Sequence, residues 1–247
     1  MMNLIATIIV VLLLNPLNSF LTEQKNFERV RTAIKDKEAI IKSNLNKNDL
    51  TLTDFHLLIV AYKLSDEMEL YAKSKSSSSY KKIATYKICQ RSGDPGPKRK
   101  GGDNQVPEGF YHINRFNPSS NFYLSLGLNY PNASDKIKGV KGNLGGDIFI
   151  HGSCVTIGCL PMTDDKIKEI YLYALHAKNN GQDKIPVYIF PFRMTDDNFS
   201  KHQRELNPDK PLISFWKNLQ DGYKLFTSEK KEIKFNVNRS GNYIYAE

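Results

Sequence analysis

Asp147-Ile-Phe-Ile-His-Gly-Ser-Cys-Val-Thr-Ile-Gly-Cys-Leu-Pro-Met-Thr-Asp164 holds two of the chain's three cysteines and one of its five histidines. The apolar run Ile148-Phe149-Ile150 reads as a strand ending on His151. Cys159 follows Gly158 in the next loop, and Met162-Thr163-Asp164-Asp165 opens a helix. This layout suits thiol chemistry. A thiol attacks only as thiolate, and a free cysteine is mostly protonated at neutral pH. An adjacent imidazole can take that proton, and the loop from His151 to Cys159 is long enough to fold back and let the two side chains meet. A third group must orient the ring: a backbone carbonyl of the loop, Ser153 or Thr156. Gly158 permits an unusual backbone conformation and close substrate approach, and the amides at Gly158 and Cys159 are candidate oxyanion-hole donors. Plainer readings stand beside this one. Cys159 can be a small buried hydrophobe and His151 a satisfied core histidine. In an oxidising compartment Cys154 can pair with Cys159 or with Cys89. The preceding glycine favours Cys159 over Cys154 as nucleophile.

Outward from this stretch, residues 163–180 form the clearest helix. Thr163 is its N-cap, Asp164 and Asp165 suit its positive end, and Gly181 stops it. Ile167, Ile170, Tyr171, Ala174 and Ala177 line one face. Upstream, residues 55–62 read as a buried strand, residues 68–72 as its hairpin partner and residues 80–89 as a third strand. Ser92-Gly-Asp-Pro-Gly-Pro97 is turn chemistry, and residues 107–113 and 122–128 are two more strands. Residues 129–134 read as loop. The glycines of 139–146 lack the Lys-Ser/Thr and the helix a phosphate loop needs. Residues 185–190 are a buried strand, residues 197–206 and 211–227 amphipathic helices, and a short strand pair ends the chain. An imperfect 3.6-residue period over residues 22–46 predicts an N-terminal amphipathic helix. The class is mainly β (α+β), with one helix after the candidate nucleophile loop and helical flanks.

The 247 residues fit one moderate domain with attachments, and 40% hydrophobic content is enough for a core. The formal net charge of +9 favours an anionic neighbour or a solvated basic surface. No nucleic-acid motif and no metal-binding cysteine spacing is present. Residues 1–20 carry an apolar run of about eleven residues broken at Asn15-Pro16, which reads as a secretory signal although no Lys or Arg precedes it. The expected organisation is therefore a signal over 1–20, a helical segment over 21–50, a catalytic domain over 51–195 and an α/β extension over 196–247.

Ile150-His-Gly-Ser153 followed by Thr156-Ile-Gly-Cys-Leu160 resembles the H-G … S/T-x-G-C signature of L,D-transpeptidase (YkuD-type) catalytic domains. Ser92-Gly-Asp-Pro-Gly-Pro-Lys98, Pro107-Glu-Gly-Phe-Tyr111, Asn117-Pro-Ser-Ser120, Leu128-Asn-Tyr-Pro-Asn132 and Pro186-Val-Tyr-Ile-Phe-Pro-Phe-Arg-Met194 resemble its YafK-like branch. The likeness covers roughly residues 55–195. It implies a mixed β-sandwich or barrel, a periplasmic location and acyl transfer through a thioester, without cofactor or metal. Cys159 would attack the carbonyl at the L-centre of meso-diaminopimelate in a peptidoglycan stem. His151 would act as base and then acid, and Gly158 would belong to the oxyanion hole. Ser153, Thr156, Tyr130 and Arg115 are expected to contact substrate, Arg115 through a carboxylate; Lys141 and Tyr123 are weaker candidates of the same kind. His56, His112 and His176 are expected to be structural. Pro161 stands where the general family often has Arg or Asn, and the His-to-Cys interval is short. Both features look typical of the YafK-like branch, some members of which cut a diaminopimelate–lysine link to an outer-membrane lipoprotein. The acceptor, amine or water, is therefore open. A wall-binding protein without catalysis is the reading from another class.

Overall fold

The computed structural model describes residues 19–246. All but the last two residues of the expected signal segment lie outside them. The chain runs α1 (Phe20–Gln24), α2 (Glu28–Asn46), β1 (His56–Tyr62), β2 (Glu67–Lys73), β3 (Lys81–Lys87), β4 (Gly109–Ser120), β5 (Tyr123–Leu128), α3 (Ala133–Lys138), β6 (Phe149–His151) and β7 (Leu160–Pro161). It continues through α4 (Asp164–Asn179), β8 (Ile185–Phe190), α5 (Asp196–Leu206), α6 (Lys210–Glu229), β9 (Phe235–Val237) and β10 (Tyr243–Tyr245). Among the described residues no helix is long and apolar enough to cross a membrane.

The near-continuous apolar run of β1 is the signature of a strand covered on both faces. It pairs antiparallel with β2 and parallel with β8, in the middle of one sheet ordered β3-β2-β1-β8-β4-β5-β6-β7. Side chains alternate between faces along a strand, and here that alternation sorts residues into two cores. Leu57, Ile59 and Ala61 of β1 join Val187 and Ile189 of β8 under α2 and α4. Leu58, Val60 and Tyr62 join Tyr188 and Phe190 under Phe215, Trp216, Leu219 and Tyr223 of α6. Each large apolar side chain buried this way contributes about 1.5–3 kcal/mol. The class is α+β, as the sequence predicts.

β3 and β7 are opposite edges of the sheet, yet the Cys89 N–H just beyond β3 donates to Pro161 O of β7 at 3.0 Å. The sheet therefore curls until its edges nearly meet, which is the barrel-like character the resemblance implies. Proline lacks the donor an inner strand needs, so Pro161 suits this edge position. The helix expected at residues 163–180 is α4, capped by Thr163, whose side chain accepts from Lys166 N. Where the sequence predicts loop over residues 129–134, α3 begins instead. Asn132 and Asp135 form a reciprocal capping box there, and six residues are too few to show a period.

Candidate active site

The loop between β6 and β7 is tied down at each step. Gly152 N donates to Leu124 O on β5. A Cβ on Gly152 would stand 2.6 Å from Asp164 Oδ1 and 2.8 Å from Phe122 O, so only glycine fits. Ser153 takes φ 59°, with its N–H bound to Asp164 Oδ1 at 2.8 Å. The first turn of α4 thereby anchors the loop. Cys154 is disulfide-bonded to Cys89, 65 positions away. Thr156 Oγ1 accepts from Gly158 N (3.1 Å) and Cys159 N (2.9 Å) and donates to Cys159 O (2.9 Å). Gly158 has φ 133°, and a Cβ there would meet Gln105 O at 3.0 Å. The segment before β4 is thus the wall against which this loop is seated.

β6 and β7 pair in parallel, Ile150 with Leu160 and His151 with Pro161. Cys159 precedes that register and stands across from Phe149. Phe149, His151 and Cys159 therefore share one side of the strand pair, and all three line a cleft of 630 Å³. Asn117, Asn121, Phe122, Ser125 and Ile157 are among its other walls. His151 Nδ1 lies 2.5 Å from Gly152 O. A carbonyl only accepts, so Nδ1 carries the hydrogen and Nε2 is the basic nitrogen. The Phe122 ring lies 4.7 Å from the imidazole, between centroids. Burial pulls the imidazole below its usual value of 6.5, opposed by the Gly152 carbonyl. Cys159 is the free cysteine, and its thiol donates to Asp147 O at 3.5 Å. Burial pushes the thiol above its usual 9.0. The Asp147 charge adds to that shift, and a backbone hydrogen bond from Phe149 and the Lys98 charge oppose it. At neutral pH the cleft thus holds an uncharged thiol and an uncharged imidazole.

A model of the L,D-transpeptidase catalytic domain (YkuD) matches residues 58–189. The Escherichia coli (strain K12) protein named "Putative L,D-transpeptidase YafK" is 37% identical over 188 residues, which span 75% of this chain and 72% of that protein. The chain belongs to the L,D-transpeptidase family. Among solved structures, the helical cell shape determining protein Pgp2 from Campylobacter jejuni aligns with a TM-score of 0.44 at 19% identity, over 74% of this chain and 73% of that one. Bd1075 from Bdellovibrio bacteriovorus aligns with a TM-score of 0.41 at 20% identity, over 80% and 79%.

In this member of the L,D-transpeptidase family, His151, Thr156 and Cys159 line the cleft; Gly158 and Arg115 do not. Arg115 Nη2 is 2.7 Å from Asp147 Oδ1, and Asp147 is a cleft residue. Thr156 works inward, on the loop's own backbone. Ser153 is fixed by its backbone N–H and does not line the cleft. Tyr130 is buried outside it, with its hydroxyl donating to Leu144 O. Tyr123 also lies away from the cleft, its ring under Arg29 and Lys168. His112 borders a separate 500 Å³ cavity next to β8. Sequence reasoning missed Asp147 and Phe122, both of which line the cleft. For Asp147 the one sequence signal is its place directly after Gly145-Gly146 at the head of the stretch that carries His151 and Cys159.

Proposed function

We propose that this chain is an exported cysteine acyl transferase acting on peptidoglycan stem peptides at meso-diaminopimelate. The observation that carries the reading is one free thiol, Cys159, lining the same cleft as an imidazole whose Nδ1–H is pinned to Gly152 O. The first step requires the thiol to leave Asp147 O for the imidazole. Nε2 accepts the proton as sulfur attacks the carbonyl carbon of the L-centre. His151 then gives that proton to the departing amine, and a thioester remains. An acceptor amine, or water, loses its proton to His151 as it attacks the thioester, and the thiol is restored. The oxyanion is assigned to the amides of Gly158 and Cys159. Both donate to Thr156 Oγ1 in the resting structure, so this assignment requires Thr156 to yield them when substrate arrives. The Cys89–Cys154 disulfide and the apolar leader support export to the periplasm.

The test is incubation with tetrapeptide stems containing diaminopimelate. Wild type turns them over, and C159A reduces turnover to background; full turnover by C159A sinks the mechanism. Cross-linked product identifies an amine acceptor. Net release of a lysine-linked peptide identifies water, and with it action on a wall-linked outer-membrane lipoprotein.

A further inference from the structure

Among the described residues, Asp147 is the only carboxylate lining the cleft. Its backbone carbonyl accepts from the Cys159 thiol, so its side chain starts from the immediate neighbourhood of the nucleophile. It follows Gly145 and Gly146 with φ 52°, a conformation that aspartate tolerates better than most side chains. The carboxylate holds Arg115 at 2.7 Å, and both side chains are largely open to water, at 80% and 53% exposure. The Arg115 guanidinium lies 4.7 Å from the Phe149 ring centroid. Beneath it, a Cβ on Gly127 would meet Arg115 Cβ and Phe149 Cε1, both at 3.2 Å. A bare backbone position and an aromatic face thus seat the arginine beside the aspartate.

An exposed ion pair is worth about 0–1 kcal/mol, so opening it costs little. Opened, it offers one anion and one planar cation side by side, the complement of an ammonium and a carboxylate on the same carbon. We propose that Arg115 and Asp147 form a receptor for the free amino-acid end of an aliphatic arm, Asp147 taking the ammonium and Arg115 the carboxylate. This rests on the proposed function: the free D-centre of meso-diaminopimelate has that chemistry, in donor and acceptor stems alike. The pair is thereby a specificity determinant, distinct from the groups that move the proton.

The experiment uses the full chain and follows the Cys159 thioester by intact mass. The donors are a diaminopimelate tetrapeptide stem, its D-centre N-acetyl form and its D-centre carboxamide. Wild type is expected to acylate about tenfold more slowly or worse with either modified donor. D147N is expected to lose discrimination against the N-acetyl form, and R115M against the carboxamide, each being slowed on the unmodified donor. If donor changes are without effect but amidating the acceptor's D-centre carboxyl slows thioester consumption, and R115M abolishes that difference, the receptor stands and reads the acceptor arm. Lack of discrimination by wild type in both half-reactions overturns the proposal without any variant. So does discrimination by D147N and R115M equal to that of wild type. Absence of any thioester from wild type and the unmodified donor is instead a failure of the proposed function.

Discussion

At the scale of single residues, the cleft has a consequence for acid–base behaviour. Burial raises the Cys159 thiol above 9.0 and lowers His151 below 6.5. Less thiolate and less imidazolium therefore exist at neutral pH than in free amino acids. Alkylation of Cys159 by iodoacetamide at pH 7 is expected to be slower than that of free cysteine and to keep rising beyond pH 9.0. A preformed ion pair would instead give fast alkylation across neutral pH. In kcat/KM the reactive state, with a single proton on the pair, spans a wide plateau. Its acid limb lies below 6.5 and its alkaline limb above 9.0. Thr156 belongs to the same scale. T156V removes the acceptor of two amides and the donor to Cys159 O while keeping the shape, and T156S keeps the hydroxyl. Turnover by T156V is expected to fall about tenfold or more, with T156S near wild type; equal activity of the two would mean that Thr156 does not set the loop.

Among the elements, α3 depends on a buried carboxylate and the β6–β7 loop on a disulfide. Asp135 caps α3, accepts from Tyr111 Oη and is 1% exposed. Burial pushes its carboxyl up from 3.8 to about 6, against the pull of its hydrogen bonds and Arg99. Between those values the folded chain binds more protons than the unfolded one, so this group's contribution to stability falls as pH rises through the window. That displacement corresponds to about 3 kcal/mol. Urea unfolding at pH 4 and pH 7 should therefore shift the balance toward D135N, relative to wild type, by up to about that amount at the higher pH. The disulfide contributes through its 65-residue interval, worth about 4 kcal/mol at most. C89S/C154S should unfold at lower denaturant and lose activity, because Cys154 lies in the loop that presents Cys159. The legibility of these elements follows their length. β1, β2 and α4 are long enough for burial pattern and caps to mark them, and His151 and Cys159 are readable as the end of a strand and the end of the loop after it. β7 has two residues and α3 six, too few for any period. The disulfide partner is open in the sequence because pairing depends on the curl of the sheet, which brings Cys89 to Pro161. Tyr130 reads as a cleft residue because sequence distance does not reveal which side of the sheet a loop serves.

Over the whole molecule, the two cores share one sheet, and a buried charge cluster links them to the site. Lys63 Nζ donates to Glu108 Oε1 at 2.9 Å and to the carbonyls of Gly96 and Val106. Glu108 Oε1 also accepts from Gly96 N, and Glu108 Oε2 accepts from Trp216 Nε1 of α6 at 2.8 Å. Every strong bond of this pair is satisfied, and the residues it gathers are the ends of the segment that puts Gln105 O against Gly158. The sequence boundary at residue 195 thus separates α6 from a node that holds the wall of the site. Removing residues 196–247 would also uncover Phe110, Tyr188 and Phe190, which pack against Trp216, Tyr223, Phe226 and Tyr243. The truncated chain is therefore expected to be insoluble or to bind a hydrophobic dye, where an independent catalytic unit would stay folded and active. E108A probes the node more finely. It leaves the Lys63 ammonium buried without its carboxylate, a change that costs about 3–5 kcal/mol, whereas W216F leaves only one carboxylate oxygen short of a donor, about 1–3 kcal/mol. Thermal unfolding should rank wild type above W216F above E108A. Because the same bonds seat Gln105 behind Gly158, W216F measured well below its unfolding temperature should still lower kcat; a W216F enzyme that is less stable but unchanged in kcat would separate the node from the site.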